Sequence, residues 1–266
     1  MPQVWQAADS LRWIHWCGVA VGTVIFSDLA ASDVRLTNAR GIFDTMMAEY
    51  ALGYMLLEVK EFHHSLALPA QRKWVTGMTR KLAGTRATIV GVGSIGREIA
   101  RTLRANGVAV RGVGRSARTD DPDFGDVAGP DGVLGAVEDT DWVIGILPLT
   151  PDTVGYFGPR FFAAMKPEAR FMNLGRGRSV DEPALIACLQ EGRLAGAMLD
   201  VFEEEPLSPE NPLWSAPNIL ISPHMSSYLV GHEKAMADQF LDNLAHFKAG
   251  RPLENLIDKT LGFAAA

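Results

Sequence analysis

The sequence predicts an α/β protein built on a doubly wound parallel sheet of the Rossmann type, with a second, smaller and incomplete domain. From about residue 85, short β-branched apolar runs alternate with amphipathic helical stretches. This alternation is typical of helices that cover both faces of a parallel sheet. The first apolar run passes directly into the glycine motif GVGSIG at residues 91–96, which opens a helical pattern. A strand, a glycine turn and a helix in this order indicate the first βαβ unit of such a sheet.

Six apolar runs have the character of buried parallel strands, which read as nearly continuous hydrophobic stretches because helices cover both faces. In the first helix between them, Ile95, Ile99 and Leu103 fall on one face. We therefore expect one complete nucleotide-binding domain over residues 39–225. The six runs lie at residues 85–92, 108–113, 142–147, 170–174, 196–200 and 218–222.

The flanking residues 1–38 and 226–266 predict the smaller domain. Residues 4–36 indicate a helix, a strand at residues 11–16, a glycine-rich turn and a short helix. Two longer helices are indicated by apolar residues on a single face. These faces comprise Met47, Ala51, Met55 and Val59 in one helix, and Met236, Phe240, Leu244 and Phe247 in the other.

Composition excludes several classes of function. The chain has 266 residues, of which 47% are hydrophobic and 21% charged, as in ordinary globular proteins. Its net charge of −6 argues against a partner rich in phosphates, such as nucleic acid. The longest apolar run, residues 16–26, is too short to span a bilayer. Cys17 and Cys188 lack any metal-ligand spacing, so we expect no metal site, and so few thiols fit the cytoplasm.

The glycine motif has a specific chemical interpretation in this context. Gly91 permits a tight turn, Gly93 lets the backbone approach a pyrophosphate, and Gly96 lets helix and strand pack closely. Unpaired N–H groups at the start of the helix, around Ser94 and Ile95, would face the diphosphate. An ordinary structural turn is the alternative, but the strand before the motif and the helix after it favour dinucleotide binding.

The end of the second strand should select the cofactor. An acidic residue there would accept the ribose 2′-OH and repel a 2′-phosphate. Instead the sequence has Gly114, Arg115, Ser116 and Arg118, with no acidic residue before Asp120. The two arginines can pair with a 2′-phosphate, although solvated loop arginines are the alternative. The pattern favours NADP, with NAD as the second choice.

Ionisable residues follow the last three predicted strands. Arg176 follows the fourth strand, Glu203 to Glu205 follow the fifth, and His224 follows the sixth. Because the carboxyl ends of parallel strands open onto one crevice, we expect these groups to converge beside the nicotinamide although they are remote in sequence. A solvated acidic turn and a lone polar histidine are the alternatives for the separate residues.

Together these groups suit the reduction of a 2-keto acid. A guanidinium at Arg176 can bind the substrate carboxylate, and His224 can donate a proton to the carbonyl oxygen. A carboxylate among the three glutamates would orient the histidine and favour its protonated form. Asp200 is a candidate for holding the nicotinamide carboxamide, with a loop-capping role as the alternative.

On these motifs the chain resembles the D-isomer-specific 2-hydroxy acid dehydrogenases, with a likeness to the glyoxylate/hydroxypyruvate reductases. The matching segments are GVGSIG (91–96), LPLTPDT (147–153), MKPEARFMNLGRG (165–177), LDVFEEEP (199–206) and SPHMSS (222–227). The resemblance implies catalytic roles for Arg176, His224 and Glu205, the glutamate that directly precedes Pro206. It also implies that Asp200 holds the carboxamide.

The resemblance implies further contacts. Backbone N–H groups of Val19 and Ala20 would bind the substrate carboxylate, together with Arg176 and His224. Dimers would form through the helical stretch at residues 45–66, although a buried core helix explains its apolar content equally well. The cofactor contacts implied by the matching segments are Leu147, Pro148, Thr153, Leu174, Gly175 and Ser226.

The resemblance also implies substrate-domain elements that precede those seen here. We therefore expect the sequence to lack the N-terminal part of that domain, through truncation, a misassigned start or a real loss. The first hypothesis is an NADP-preferring reductase of a short 2-keto acid. The second is a dinucleotide-binding interaction protein without turnover, similar to the family's corepressors. Oxidation of formate or phosphite is disfavoured, because this chain keeps Glu205.

Overall fold

The computed structural model describes residues 2–22, 24–260 and 263–264. The chain divides into two compact units, one formed by residues 44–227 and the other by residues 1–43 and 228–266. The boundaries predicted from the sequence, after residues 38 and 225, fall a few residues earlier. The observed boundary coincides with the start of a long helix at Asp44.

The secondary structure consists of short strands and mostly short helices. The strands are β1 (Trp13–Trp16), β2 (Arg35–Asn38), β3 (Arg86–Val90), β4 (Ala109–Val113), β5 (Arg118–Asp121), β6 (Gly125–Ala128), β7 (Trp142–Gly145), β8 (Arg170–Asn173), β9 (Gly196–Leu199), β10 (Ile219–Ile221), β11 (Ile257–Asp258) and β12 (Phe263–Ala264). The helices are α1 (Pro2–Trp5), α2 (Ser27–Ala31), α3 (Asp44–Val59), α4 (Phe62–Gln71), α5 (Ser94–Ala105), α6 (Val133–Val137), α7 (Pro159–Ala164), α8 (Glu182–Gln190) and α9 (His232–Lys248).

The larger unit contains an eight-stranded sheet in the order β10-β9-β8-β7-β3-β4-β6-β5. All neighbouring strands are parallel except β5 and β6, which are antiparallel. The chain enters at β3, builds outward to β4, and then crosses to β7 on the other side of β3. This reversal is the switch point at which doubly wound sheets bind ligands. The six predicted strands and the fold class are confirmed, with each strand somewhat shorter than its apolar run.

The β5–β6 hairpin was not predicted, because its sequences RTDD and GDVA lack an apolar pattern. Ion pairs hold it against α5 instead. Arg97 lies 2.9 Å from Asp121 and 2.7 Å from Asp123, and Arg101 Nε lies 2.7 Å from Asp123. The hydrogen bond from Arg97, followed by that from Arg118, lowers the pKa of Asp121 despite its burial.

Helix α3 is a core element, and its sequence pattern explains why. The predicted face of Met47, Ala51, Met55 and Val59 is buried. The helix ends at Val59, so the helical stretch predicted over residues 45–66 is two helices. Glu61 adopts a left-handed conformation with φ of 53° between them, and α4 buries none of its residues.

The smaller unit is built on the parallel pair β1–β2, with Trp13 opposite Arg35. Strand β2 was not predicted, and β1 is shorter than the predicted strand at residues 11–16. The indole of Trp13 stacks on Phe240 and Phe247 of α9, with ring centroids 5.3 and 5.4 Å apart. Within the described part of the chain, no helix combines the length and apolar character needed to cross a membrane.

Candidate active site

The glycine turn after β3 shows which glycines the protein itself requires. Gly91 has φ of +119°, and a Cβ on it would lie 2.6 Å from the carbonyl oxygen of Ile146. A Cβ on Gly96 would lie 2.0 Å from the carbonyl oxygen of Gly91. A Cβ on Gly93, in contrast, would meet no atom of the described residues within 4 Å. Protein packing therefore explains the first two glycines, whereas Gly93 leaves open space that a ligand can approach.

Helix α5 begins at this open space. Its first backbone bond runs from Arg97 N to Gly93 O over 2.9 Å, and no side chain caps the helix at Gly93. The N–H groups of Ser94, Ile95 and Gly96 precede this bond and have no partner within the helix. Such a helix N-terminus attracts anionic oxygens through these N–H groups and the helix dipole. The turn fits a dinucleotide pyrophosphate.

The residues after β4 place one arginine beside Gly114. Arg118 Nε donates to Asp121 Oδ2 over 2.9 Å, and Nη2 lies at the same distance from that oxygen. The remaining nitrogen, Nη1, lies 3.8 Å from the position of a Cβ on Gly114. A Cβ there would also lie 2.7 Å from Val92 Cγ2. Asp121 thus binds the Nε–Nη2 edge of the Arg118 guanidinium, while Nη1 faces Gly114. Arg115 and Ser116 are exposed in the same turn.

The loop after β8 has a tightly fixed backbone. Asn173 Nδ2 donates to Arg176 O over 3.0 Å, and Asn173 Oδ1 accepts from Gly175 N over 3.1 Å. A Cβ on Gly177 would lie 1.8 Å from the carbonyl carbon of Phe202, so this loop touches the one after β9. Only glycine allows such an approach. The contact brings Arg176 and the glutamate loop to the same edge of the sheet.

The guanidinium of Arg176 is mostly buried, and most of its N–H donors have no partner among the described residues. Its Nη1 donates to Gly175 O over 2.6 Å, but none of the described carboxylates lies within ion-pair distance of it. Burial lowers the pKa of Arg176, and the nearby charge of Glu205 partly opposes that shift. A guanidinium with spare donors in such a place favours an incoming carboxylate.

His224 and Glu205 are in direct contact, as predicted. His224 Nδ1 lies 2.7 Å from Glu205 Oε2, while Glu205 Oε1 accepts from Phe202 N over 2.9 Å. Glu203 and Glu204 are exposed and make no such contact. Because Nδ1 is engaged by the carboxylate, Nε2 remains on the opposite side of the ring for proton transfer. The geometry selects Glu205 among the three glutamates.

Asp200 is completely buried and acts as a loop cap. Its Oδ1 accepts from Ser222 Oγ over 2.6 Å and from Met225 N over 2.9 Å, and its Oδ2 accepts from Ser226 N over 3.0 Å. Asp200 therefore has the loop-capping role that the sequence analysis gave as its alternative role. A contact with the carboxamide stays a prediction. The N–H of Ser226 is already engaged by Asp200.

The loop after β7 closes on itself. Thr153 Oγ1 donates to Pro148 O over 2.7 Å and accepts from Thr150 N over 2.7 Å. A Cβ on Gly175 would lie 2.7 Å from Leu147 O, which explains the glycine at that position. Leu174 is buried, and its N–H donates to Gly145 O. Each of the four predicted cofactor residues in these loops therefore takes part in a contact within the protein. These residues are Leu147, Pro148, Thr153 and Leu174.

Within the smaller unit, the loop around Val19 and Ala20 turns its carbonyls inward. Val19 O accepts from Asn38 Nδ2 over 2.6 Å, and Ala20 O accepts from Trp16 Nε1 over 2.9 Å. Among the described residues, the N–H groups of Val19 and Ala20 have no hydrogen-bond acceptor. This arrangement supports the prediction that the two N–H groups bind an anion.

Sequence reasoning missed one residue at the site. Tyr50 Oη lies 2.5 Å from Ser222 Oγ, which in turn bonds to Asp200. The tyrosine belongs to α3, far from the strand tips in sequence, so no local pattern pointed to it. Among the described residues, no three histidine, cysteine or acidic residues form a cluster that could hold a metal.

A histidine–carboxylate pair, a glycine turn open to a ligand and an arginine with no ion pair among the described residues together define a class, the dinucleotide-dependent oxidoreductases. The model of the D-isomer specific 2-hydroxyacid dehydrogenase NAD binding domain matches residues 52–226. The chain belongs to the D-isomer specific 2-hydroxyacid dehydrogenase family, as the motifs predicted.

Relatives with assigned activities cover most of the chain. It is 32% identical to glyoxylate/hydroxypyruvate reductase A of Serratia proteamaculans, over 82% of this chain and 68% of that protein. It is 34% identical to hydroxyphenylpyruvate reductase of Plectranthus scutellarioides, over 83% and 70%. Among solved structures, the NADPH-dependent glyoxylate/hydroxypyruvate reductase of Sinorhizobium meliloti, in complex with NADP and sulfate, superposes with a TM-score of 0.87. That match is 32% identical and covers 99% of this chain and 84% of that one.

The contrast between Gly93 and Gly96 gives a prediction. Gly93→Ala should leave the melting temperature nearly unchanged, because space is free and φ of −76° suits alanine. It should weaken NADPH binding by about tenfold or more, because the methyl group occupies the approach of the pyrophosphate. Gly96→Ala should lower the melting temperature by several degrees through its backbone clash. Thermal melts and fluorescence titration with NADPH measure both effects. Unaltered NADPH affinity in Gly93→Ala would contradict the assignment of this turn.

Proposed function

We propose that this chain reduces a short 2-keto acid to the D-2-hydroxy acid with NADPH. The observation that carries the proposal is the 2.7 Å contact between His224 and Glu205, in a unit that also presents Arg176 and an open glycine turn. The dinucleotide, when bound, supplies the hydride that the keto carbon receives. The protein must then bind the carboxylate, orient the carbonyl and deliver one proton to the carbonyl oxygen.

His224 donates this proton. With Nδ1 directed at Glu205, a protonated ring presents its Nε2–H to the substrate and stays held by the carboxylate after the transfer. Glu205 is itself fixed through Phe202 N, so the ring keeps one orientation throughout. Reduction of the keto group requires a proton on Nε2 of the ring, and the contact of Nδ1 with Glu205 leaves Nε2 free of the carboxylate.

Arg176 binds the substrate carboxylate in this proposal. Its burial and spare donors make a charge-assisted, bidentate interaction favourable. The N–H groups of Val19 and Ala20 are proposed as a second contact to the carboxylate. Their carbonyls are bonded within the smaller unit, and the N–H groups have no acceptor among the described residues.

Substitution of His224 tests the chemistry. His224→Ala should lower turnover about 10²- to 10⁴-fold, the usual contribution of a general acid, while the dissociation constant for NADPH changes little. Glu205→Gln should lower turnover less, because the amide has one acceptor oxygen in place of two and orients the imidazole less firmly than the carboxylate does. NADPH oxidation is followed by absorbance with glyoxylate, hydroxypyruvate and 4-hydroxyphenylpyruvate.

Two outcomes would contradict the proposal. Unchanged turnover in His224→Ala would remove the histidine from the reaction. Tight NADPH binding with no oxidation by any of the acids would favour the alternative of a dinucleotide-binding interaction protein. The three acids also separate small from aromatic substrates, in accordance with the activities named for the relatives from Serratia and Plectranthus.

The preference for NADP rests on the turn after β4. Gly114 provides no carboxylate to repel a 2′-phosphate, and Arg118 Nη1 lies beside it while Asp121 holds the opposite edge of the guanidinium. The bound NADP named for the Sinorhizobium structure supports this choice. Asp200 is proposed, as predicted, to lie near the carboxamide, in addition to capping its loop.

Cofactor selectivity gives a direct test. Arg118→Ala should lower kcat/KM for NADPH about tenfold, by loss of one charged hydrogen bond, and leave kcat/KM for NADH nearly unchanged. Asp121 keeps Arg97 as a partner in this variant, so the hairpin should stay folded. Arg193→Ala, which removes an exposed arginine after α8, serves as the control. Equal losses with both cofactors would rule out a contact with the 2′-phosphate.

We further propose a homodimer, formed through an exposed arm at residues 62–81 rather than through α3. In this arm Leu66, Trp74 and Met78 are 75%, 97% and 92% exposed. Apolar side chains concentrated in one exposed segment mark a surface that a partner covers. The apolar residues of α3, in contrast, are largely explained by the core of the larger unit.

A double substitution tests the dimer. Trp74→Glu with Met78→Glu should convert a dimer into a monomer in analytical ultracentrifugation, because two charges would be buried in the interface. Val230→Glu, at a fully exposed position outside the arm, should leave the dimer intact. A wild-type monomer at micromolar concentration, or a dimer that survives the double substitution, would contradict the proposal.

We also propose a cytoplasmic location. Cys17 is an exposed free thiol and Cys188 a buried one, and free thiols persist in reducing compartments. Recovery of the protein in the cytosolic fraction of its cell would support this location, and recovery elsewhere would contradict it.

A further inference from the structure

Helix α3 carries two tyrosines one turn apart whose hydroxyl groups have opposite surroundings. Tyr50 Oη lies 2.5 Å from Ser222 Oγ. Tyr54 Oη is buried and has no hydrogen-bond partner among the described residues. Burial also raises the pKa of Tyr54 far above its usual range. The same helix thus offers one engaged hydroxyl and one orphaned hydroxyl.

The direction of the Tyr50 hydrogen bond follows from its neighbours. Asp200 accepts N–H bonds at both carboxylate oxygens, from Met225 and Ser226, as an ionised carboxylate does. Ser222 therefore gives its single hydroxyl proton to Asp200 Oδ1, 2.6 Å away. With that proton committed, Ser222 Oγ is the acceptor and Tyr50 the donor. The chain runs from Tyr50 through Ser222 to Asp200.

Asp200 in turn holds the segment that presents the histidine. The N–H of His224 donates to Asp200 O over 2.8 Å, and the next two N–H groups donate to its carboxylate. His224 itself has φ of 51°, a left-handed conformation that residues with a Cβ rarely adopt. Bonds from outside the segment help to maintain this conformation, and three of its backbone N–H groups donate to Asp200.

We propose that Tyr50 is a positioning residue for the reduction: its hydroxyl fixes Ser222 and Asp200, and through them the loop of residues 222–226 that aims His224. Its effect on turnover rests on the proposed function. Its effect on the loop does not, because the hydrogen bonds exist whatever the reaction. Neither Tyr50 nor Ser222 belongs to the residues that the sequence motifs assigned to catalysis.

The matched pair Tyr50→Phe and Tyr54→Phe separates this role from mere packing in α3. Both changes remove one hydroxyl from the same helix. Tyr50→Phe should lower kcat about fivefold to tenfold, roughly the effect of one hydrogen bond on a rate, with the KM for NADPH changed less than about twofold. Tyr54→Phe should keep kcat and melt at the same or a higher temperature, because it removes a buried hydroxyl without a partner. Equal effects of both variants on kcat would overturn the proposal.

A double-mutant cycle tests whether Tyr50 acts through Ser222. Ser222→Ala should lower kcat at least as much as Tyr50→Phe, and the double variant should lose no more than Ser222→Ala alone. This non-additivity is expected for residues in one network. Additive losses would show that Tyr50 acts by another route and would overturn the proposal.

Amide hydrogen exchange gives a readout that needs no turnover. In Tyr50→Phe, the amides of Met225 and Ser226 should exchange several times faster than in the wild type, while in Tyr54→Phe they should keep the wild-type rate. Unchanged exchange in Tyr50→Phe would overturn the inference. A wild-type protein that reduces no keto acid, yet shows the exchange difference, would contradict the proposed function and leave this inference standing.

Discussion

The buried carboxylate of Asp200 is the interaction on which the geometry of the site depends. It follows β9 directly and accepts three hydrogen bonds from the segment after β10. Loops at the end of a sheet are otherwise the parts with the greatest freedom. A charged group with no solvent contact must accept hydrogen bonds from within the protein. Each missing hydrogen bond to such a group costs about 1–3 kcal/mol or more. That requirement ties two neighbouring loops together.

The larger unit separates structural charge from functional charge. The ion pairs of Arg97 and Arg101 with Asp121 and Asp123 are mutually satisfied, so they hold a hairpin and have little capacity left for a ligand. Arg176 has the opposite character, with a buried guanidinium that lacks a carboxylate partner among the described residues. His224 and Glu205 lie between these extremes, since they pair with each other but keep about 43% and 36% of their side chains exposed. Charged side chains that keep unused hydrogen-bonding capacity can bind a ligand, whereas fully paired ones only stabilise the fold.

The features that could be predicted from the sequence are those with a strong local pattern of apolar residues or glycines. Continuous apolar runs revealed six strands, and the glycine spacing identified the turn, because both are dictated by local packing. The motif preceding Pro206 distinguished Glu205 from its two neighbours, which chemistry alone could not do. The hairpin of β5 and β6 escaped detection because charge pairing with α5, rather than apolar burial, forms it. Tyr50 was missed because a hydrogen bond between residues 172 positions apart leaves no trace in a single sequence.

The contact between Val92 and Gly114 has a steric consequence. The first lies inside the glycine motif, and the second follows β4, where the sequence analysis expected an acidic residue in an NAD-preferring protein. A Cβ on Gly114 would come within 2.7 Å of Val92 Cγ2, and one on Gly112 would come equally close to Cγ1. An acidic side chain at position 114 would therefore require the Val92 side chain to shift. Positions 92 and 114 are thus sterically linked, and a side chain introduced at position 114 should be tolerated best together with a smaller residue at position 92.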